Sequence, residues 1–327
     1  MAVSFLQEKS VVVLGGTGLI GSQLVVLLLR CGAKVKVVAR NPPSHEFSRG
    51  VSFMPADLLD ASSCIRAVQG ADAVFNLAVF GGGILRNTRE GARVFTTNVL
   101  MQTHVIEAVR MCDVERYLFP SSVCVYPAKL EVMREDLAWD SPPDKTHLGF
   151  GWAKRMGEMQ CQLYAEQYGI RIAIVRPTNA YGPGDNFDLN SSHVIPALIR
   201  KAVEKQDPYV VWGDGTSKRE FIYSADVARG MILALEKYPV ADPVNLGSGQ
   251  EISIADLTQL ILKLSEHNPS QVLFDETKPI GQTRRICDTH KANKLLDFSA
   301  QVLLSTGLRN TIDWYKQRHM TVRGKAQ

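Results

Sequence analysis

The residues that could do chemistry begin with a glycine run, Gly15-Gly16-Thr17-Gly18-Leu19-Ile20-Gly21. It follows Val11-Val12-Val13-Leu14, an apolar stretch too short for a helix, and opens a helical pattern through Leu19, Ile20, Leu24, Val25 and Leu28. Strand, glycine turn and helix in that order make a cradle for the pyrophosphate of a dinucleotide. Gly15 allows the tight turn, Gly18 lets the backbone approach the diphosphate, and Gly21 lets helix and strand pack closely. The helix start adds unpaired amides and a positive dipole end. The plainer alternative is a glycine turn in an unliganded α/β domain; the context favours the cradle.

Two further residues bear on the same ligand. Lys34-Val35-Lys36-Val37-Val38-Ala39 reads as the second strand and ends at Arg40, where the adenosine ribose would lie. An acidic residue there accepts from the ribose 2′-hydroxyl, whereas a cation pairs with a 2′-phosphate, so Arg40 favours NADP over NAD. The alternative is a solvated arginine. Asp57, after the strand Val51-Ser52-Phe53-Met54, either accepts from the adenine amino group or caps the next helix.

The elements that must position these residues alternate along the chain. Ala73-Val74-Phe75-Asn76-Leu77-Ala78 is a fourth strand ending in Gly81-Gly82-Gly83, and a helix runs through Asn98, Val105, Ile106 and Val109. Tyr117-Leu118-Phe119 and Arg171-Ile172-Ala173-Ile174-Val175-Arg176 are the fifth and sixth strands. Short apolar strands alternating with amphipathic helices imply an α/β protein with a doubly wound parallel sheet. Beyond Pro177 the alternation stops. The division expected is a dinucleotide-binding domain over 1–178 and a smaller, mixed α/β substrate domain over 179–327, with segments near 221–249 returning to the sheet.

Composition narrows the partners. At 327 residues the chain can bury a sizeable core, and a net charge of +4 without a basic tract argues against nucleic acid. The six cysteines are scattered, with no CxxC pair and no metal spacing, and read as reduced thiols. The longest apolar run, Leu24 to Leu29, falls far short of the roughly 20 residues that span a bilayer. The first strand begins too near Met1 for a signal peptide. A cytoplasmic protein without metal or membrane partner is expected.

Further motifs resemble those of the extended short-chain dehydrogenase/reductases, the NAD(P)-dependent nucleotide-sugar epimerase/dehydratase family. They are Asp57-Leu58, Asn76-Leu77-Ala78 and Ser121-Ser122-Val123-Cys124-Val125-Tyr126 beside the glycine run. Within that family the likeness is greatest to the GDP-L-fucose synthases, which epimerise at C3 and C5 and reduce at C4. It rests on Pro177-Thr178-Asn179-Ala180-Tyr181-Gly182-Pro183-Gly184-Asp185-Asn186-Phe187 and Ser192-His193-Val194-Ile195-Pro196. Trp212-Gly213-Asp214-Gly215 and Arg219-Glu220-Phe221 continue it.

The resemblance implies a catalytic Ser, Tyr and Lys, the last two spaced YxxxK on one helix face. Ser122 and Lys154 match; the tyrosine position holds Phe150, which can neither donate, accept nor titrate. Either the chain is an inactivated Tyr→Phe variant in which substrate and cofactor stay bound unreacted, or its chemistry runs without a phenol. The intact surroundings favour the first. Cys124 and His193 match the acid/base pair of the epimerisation, against the plainer readings of a buried small hydrophobe and a structural histidine. The resemblance places Thr17, Leu19, Ile20, Leu58, Leu77, Ala78, Lys154, Pro177 and Asn179 around the dinucleotide. Ser122, Asn179 and His193 would face the sugar. Lys201, Trp212, Arg219 and Lys278 would hold the nucleotide diphosphate, with Arg284 and Arg285 adding to that anion site; solvated surface charges are the alternative. A nucleotide-sugar partner, NADP(H) or NAD(H), and a homodimer follow. The rival readings are a nucleotide-sugar 4-epimerase that recycles tightly bound NAD, and a non-catalytic sensor of a dinucleotide or nucleotide sugar.

Overall fold

A computed structural model describes residues 4–42, 50–278 and 282–324. The first half runs β1 (Ser10–Leu14), α1 (Leu19–Arg30), β2 (Lys34–Ala39), β3 (Val51–Pro55), α2 (Ala61–Val68) and β4 (Ala73–Asn76). Then come α3 (Ile84–Arg89), α4 (Gly91–Met111), β5 (Arg116–Pro120), β6 (Val132–Met133), α5 (Leu148–Tyr168) and β7 (Arg171–Pro177). The second half holds β8 (Asn179–Tyr181), α6 (Val194–Val203), β9 (Tyr209–Trp212), β10 (Lys218–Tyr223), α7 (Ser224–Lys237) and β11 (Val244–Leu246). It ends with β12 (Glu251–Ser253), α8 (Ile254–Leu264), β13 (Val272–Asp275), β14 (Arg284–Cys287), α9 (His290–Leu296) and α10 (Leu304–Gly324).

Seven parallel strands form the main sheet in the order β11-β7-β5-β4-β1-β2-β3. The order reverses between β1 and β4, the topological switch point beside which such sheets take their ligands. Both faces are covered, which explains why β1 is apolar without interruption. Val11 and Val13 enter one core cluster, with Leu24, Leu28 and Val227; Val12 and Leu14 enter the other, with Val105, Ile106 and Tyr117. The doubly wound sheet is therefore the one the strand–helix alternation implied.

The second half is mixed. β10 pairs antiparallel with β12 and parallel with β14 and β8, and β9 and β13 make a separate pair. Phe221, Tyr209, Ile195 and Leu257 centre a third core there. Phe221 to Tyr223 belong to this smaller sheet, whereas α7 packs on β7, β5 and α1, and β11 pairs with β7.

One polar cluster crosses these layers. Glu158 on α5 and Arg176 on β7 are both buried and form a bidentate pair, Nε to Oε1 and Nη2 to Oε2, each at 2.8 Å. Arg176 also donates to the Tyr126 hydroxyl at 2.9 Å and to the Glu135 carbonyl at 3.0 Å. Tyr126 passes its proton to Asn245 Oδ1 on β11 at 2.7 Å. Removing one member strands the other charge in the core. Glu158→Ala is expected to lower the unfolding free energy by about 3–5 kcal/mol, read from the urea midpoint, with Glu158→Leu/Arg176→Met recovering most of it. Equal losses in the single and double variants would show that the pair's charge is not what matters.

Candidate active site

The glycine turn is built as a cradle. Gly15 has φ +76°, and a Cβ there would stand 2.8 Å from the Ala78 amide nitrogen, so no other residue fits the turn without strain. A Cβ on Gly21 would collide with the Gly15 carbonyl and the Gly16 Cα, so its close partner is the turn itself. Gly18, by contrast, is exposed and meets nothing nearer than 3.5 Å. It forms the N-cap of α1 without a side-chain cap, which leaves the first-turn amides to a ligand or solvent. The turn is pinned from both sides by Gly15 N–H to the Val38 carbonyl and Leu77 N–H to the Leu14 carbonyl, each 2.8 Å.

Around this turn, Thr17 is exposed while Leu19, Ile20, Leu77 and Ala78 are half-buried. Arg40 is exposed at the end of β2, and residues 43–49 that follow lie outside those described. Asp57 is exposed and accepts only from the Leu59 amide. The helix cap is instead Asp60, which accepts from the Ser62 and Ser63 amides, so the capping alternative for Asp57 is corrected. Leu58 is buried and its carbonyl accepts from Cys64 Sγ, with His104 Nδ1 at 3.2 Å.

The catalytic candidates gather where β5 ends and α5 begins. Ser122 caps the turn Val123–Val125, its Oγ accepting from the Cys124 amide at 3.2 Å. Phe150 and Lys154 lie on α5, with Lys154 Nζ 5.6 Å from the Phe150 ring and donating to the Pro120 carbonyl at 2.7 Å. Burial lowers the Lys154 pKa to about 8. Burial raises that of Cys124, an effect Arg285 and Ser122 only partly offset. The protonated thiol is therefore the favoured form. His193 is the N-cap residue of α6, makes no side-chain cap bond and is exposed, and desolvation lowers its pKa. The glycine loop meets the segment that leads into it, since Gly83 N–H donates to the Ser191 carbonyl at 3.1 Å.

The diphosphate candidates divide into two groups. Arg219 on β10 is in register with Arg285 on β14, and burial followed by the Arg285 charge lowers the Arg219 pKa. Arg285 donates to the Val123 carbonyl at 2.7 Å, so these two cations border the Val123–Val125 turn. Arg284, one residue along and hence on the opposite face, pairs with Glu251 at 2.8 Å and Glu131 at 3.4 Å. The structure does not bring it to Arg219. Lys201 Nζ donates to the Val210 carbonyl at 2.7 Å, Trp212 is exposed on β9, and Lys278 lies 4.0 Å from Asp275 on β13. These three cluster at the β9–β13 pair. Residues 279–281, within the same candidate stretch, are not described.

Among the described residues, buried polar atoms without a partner include Ser121 Oγ past β5, Thr178 Oγ1 past β7, Arg285 Nε on β14 and Gln282 Oε1 just before it. Buried polar groups are normally paired, so Ser121 and Thr178 at the carboxyl ends of two sheet strands fit a polar ligand lying across them. Pro177 is buried there, and Asn179 is exposed with its side chain donating to the Glu220 carbonyl at 2.8 Å. Among the described residues no group of three or more His, Cys, Asp or Glu could hold a metal ion. No described helix is long and apolar enough to cross a membrane.

Residues 11–247 match the NAD dependent epimerase/dehydratase family. The chain belongs to this family. The match covers the glycine turn, Ser122, Cys124, Lys154, His193 and Arg219 of this epimerase/dehydratase. It is 38% identical over 224 residues to GDP-L-fucose synthase of Sinorhizobium fredii (strain NBRC 101917 / NGR234), covering 67% of this chain and 71% of that one. It is 32% identical over 323 residues to probable GDP-L-fucose synthase 1 of Oryza sativa subsp. japonica, covering 95% and 94%. Among solved structures, the GDP-L-fucose synthetase from Naegleria fowleri bound to NADP superposes with a TM-score of 0.84 at 26% identity, covering 98% and 96%.

Residues that sequence reading missed are mostly those that hold the site. Arg155, buried on α5, donates to the Val125 carbonyl at 2.9 and 2.7 Å, and its guanidinium carbon lies 5.2 and 5.0 Å from the ring centres of Trp139 and Trp152. No local signal distinguishes it from a surface arginine. Lys154 itself gives a test of the site's dryness. Its folded-state pKa lies below the unfolded value, so its charge costs stability at neutral pH and the cost fades as pH rises from about 8 to 10.5. The unfolding free energy of the parent minus that of Lys154→Met is expected to rise across that window by on the order of 3 kcal/mol. A flat difference would mean that water reaches the ammonium.

Proposed function

We propose that this epimerase/dehydratase is an NADP(H)-dependent epimerase/reductase acting on a 4-keto-hexose nucleotide, of the GDP-fucose synthase kind, whose activity is impaired by Phe150. The carrying observation is the placement of Lys154 and Phe150 on one helix against the Ser122–Cys124 turn. Its relatives named GDP-L-fucose synthase and the NADP in the Naegleria structure support the same reading. The Gly15–Gly21 turn, Lys154 and Thr178 would hold the dinucleotide, with Leu58, Leu77, Ala78, Pro177 and Asn179 lining it and Arg40 near the ribose. Bound there, the cofactor supplies or accepts hydride.

The chain's own groups divide the remaining work. Ser122 Oγ is the hydroxyl donor placed to polarise a sugar carbonyl. The Lys154 ammonium orients the ribose. Cys124, held protonated, is suited to give a proton, and His193, held neutral, to take one, so together they invert a carbon acidified by an adjacent ketone. Arg219 and Arg285 would grip the diphosphate, with Lys201, Trp212 and Lys278 toward the base. The domain division at 178/179 follows, the dinucleotide lying before it and the nucleotide sugar mainly after it. A homodimer through α4 and α5 accounts for exposed Leu100, Met159 and Leu163.

Phe150→Tyr is expected to raise NADPH consumption with a 4-keto-sugar nucleotide by on the order of 10²–10⁴. Turnover without net NADPH consumption would favour the 4-epimerase instead, and tight binding without turnover of any sugar nucleotide the sensor. Independently of Phe150, deuterium from solvent is expected to enter C3 or C5 of the 4-keto substrate, and Cys124→Ser and His193→Gln to abolish that exchange. Undiminished exchange in both variants would remove the pair from the mechanism.

A further inference from the structure

His147 stands three residues, almost one helical turn, before Phe150, at the N-cap of α5. Its surroundings belong to the site. Gly151, on the first turn of α5, lies directly against the Cys124 carbonyl, so the helix start abuts the catalytic turn. Asp144 acts on the Cys124 thiol, and Arg285 and His193 both act on His147, so these groups share one electrostatic neighbourhood.

The hydrogen bonds fix which nitrogen of His147 is free. Asp144 accepts from the Thr146 amide at 2.8 Å, from Thr146 Oγ1 at 2.8 Å and from Gln282 Nε2 at 2.6 Å. Burial opposes its charge, but these donors outweigh it and hold the carboxyl below its ordinary pKa. A carboxylate only accepts, so the single Thr146 hydroxyl proton points to Asp144. Thr146 Oγ1 must then accept at its 2.9 Å contact with His147 Nδ1, which makes that nitrogen the donor. The Nε2 atom is left with an open lone pair. Asp144, Thr146 and His147 thus form a directed chain of the kind that orients a catalytic imidazole.

We infer that His147 Nε2 is a second proton carrier of this site, exchanging a proton with the sugar's C4 oxygen where Phe150 leaves no hydroxyl to do so. The inference rests on the proposed function. In reduction, hydride from a reduced nicotinamide dinucleotide forms the C–H bond at C4 as the carbonyl π bond opens onto oxygen. That oxygen takes the proton from the Nε2 of the imidazolium, which returns to its neutral Nδ1–H form and recovers a proton from solvent. In oxidation the neutral Nε2 takes the hydroxyl proton. Burial first, then Arg285, lowers the His147 pKa to about 4, so the free protein holds the base form. A diphosphate beside Arg219 and Arg285 cancels cationic charge and makes the imidazolium easier to form.

Two readouts test this. Nitrogen-15 spectra of imidazole-labelled protein, assigned with His147→Gln, are expected to show His147 neutral near about pH 7 with its proton on Nδ1. A proton on Nε2 overturns the inference. In single-turnover reduction of a nucleotide-linked 4-ketohexose, His147→Gln is expected to slow the residual rate at least ~10-fold while shifting sugar-nucleotide affinity less than ~3-fold. In the Phe150→Tyr background the same replacement is expected to cost at least ~3-fold less, because the phenol shares the task. Equal losses in both backgrounds, or a loss confined to affinity, mean a structural role and overturn it. Absence of dinucleotide binding by calorimetry would defeat the wider reading; binding retained with no kinetic effect of His147→Gln defeats this inference alone.

Discussion

The bidentate contact between Glu158 and Arg176 is the constraint on which the site depends. Both side chains are buried, so neither charge can turn to water if α5 shifts against β7. Lys154 lies one turn before Glu158 on the same helix, and its depth and direction follow from that registration. Arg176 also reaches Tyr126, at the end of the turn that carries Ser122 and Cys124. A helix, a strand and a loop are thus locked by one guanidinium. Arg155, also buried, ties the same turn to the same helix by bonding the Val125 carbonyl.

Charge is sorted by strand geometry. Arg284 and Arg285 are adjacent, and the two-residue period of a strand sends them to opposite sides. Arg284 meets Glu251 and Glu131 and is neutralised. Arg285 keeps to the other side beside Arg219, where among the described residues no carboxylate pairs with either and its Nε is buried without a partner. Two cations concentrated in this way raise the local positive potential, and Arg285 ties it to the Val123–Val125 turn through the Val123 carbonyl.

Phe150 lies beside Lys154 and near Gly81, and the start of its helix abuts Cys124. A phenyl ring at that place packs but offers no hydroxyl. Asp144, Thr146 and His147, just before Phe150 in the chain, are held by hydrogen bonds that do not involve residue 150.

Much of the fold was legible in the chain. Period and length identified every strand of the main sheet as far as Arg176, since parallel strands buried on both faces must be continuously apolar. Glycine spacing marked the cradle because only glycine tolerates the close approaches at residues 15 and 21. Ser122, Phe150 and Lys154 were singled out by the family resemblance and its YxxxK spacing, not by period or glycine spacing. Other decisions needed three dimensions. Which aspartate caps α2, Asp57 or Asp60, turned on the residue at which the helix begins. Which of Arg284 and Arg285 faces inward depended on the register of β14 against β10. The protonation of Cys124 and His193 came from burial by elements far away in sequence, and the tautomer of His147 from a threonine proton already committed to Asp144. Local sequence fixes backbone form; it does not fix desolvation or hydrogen-bond direction, which are set by neighbours that only the folded chain assembles.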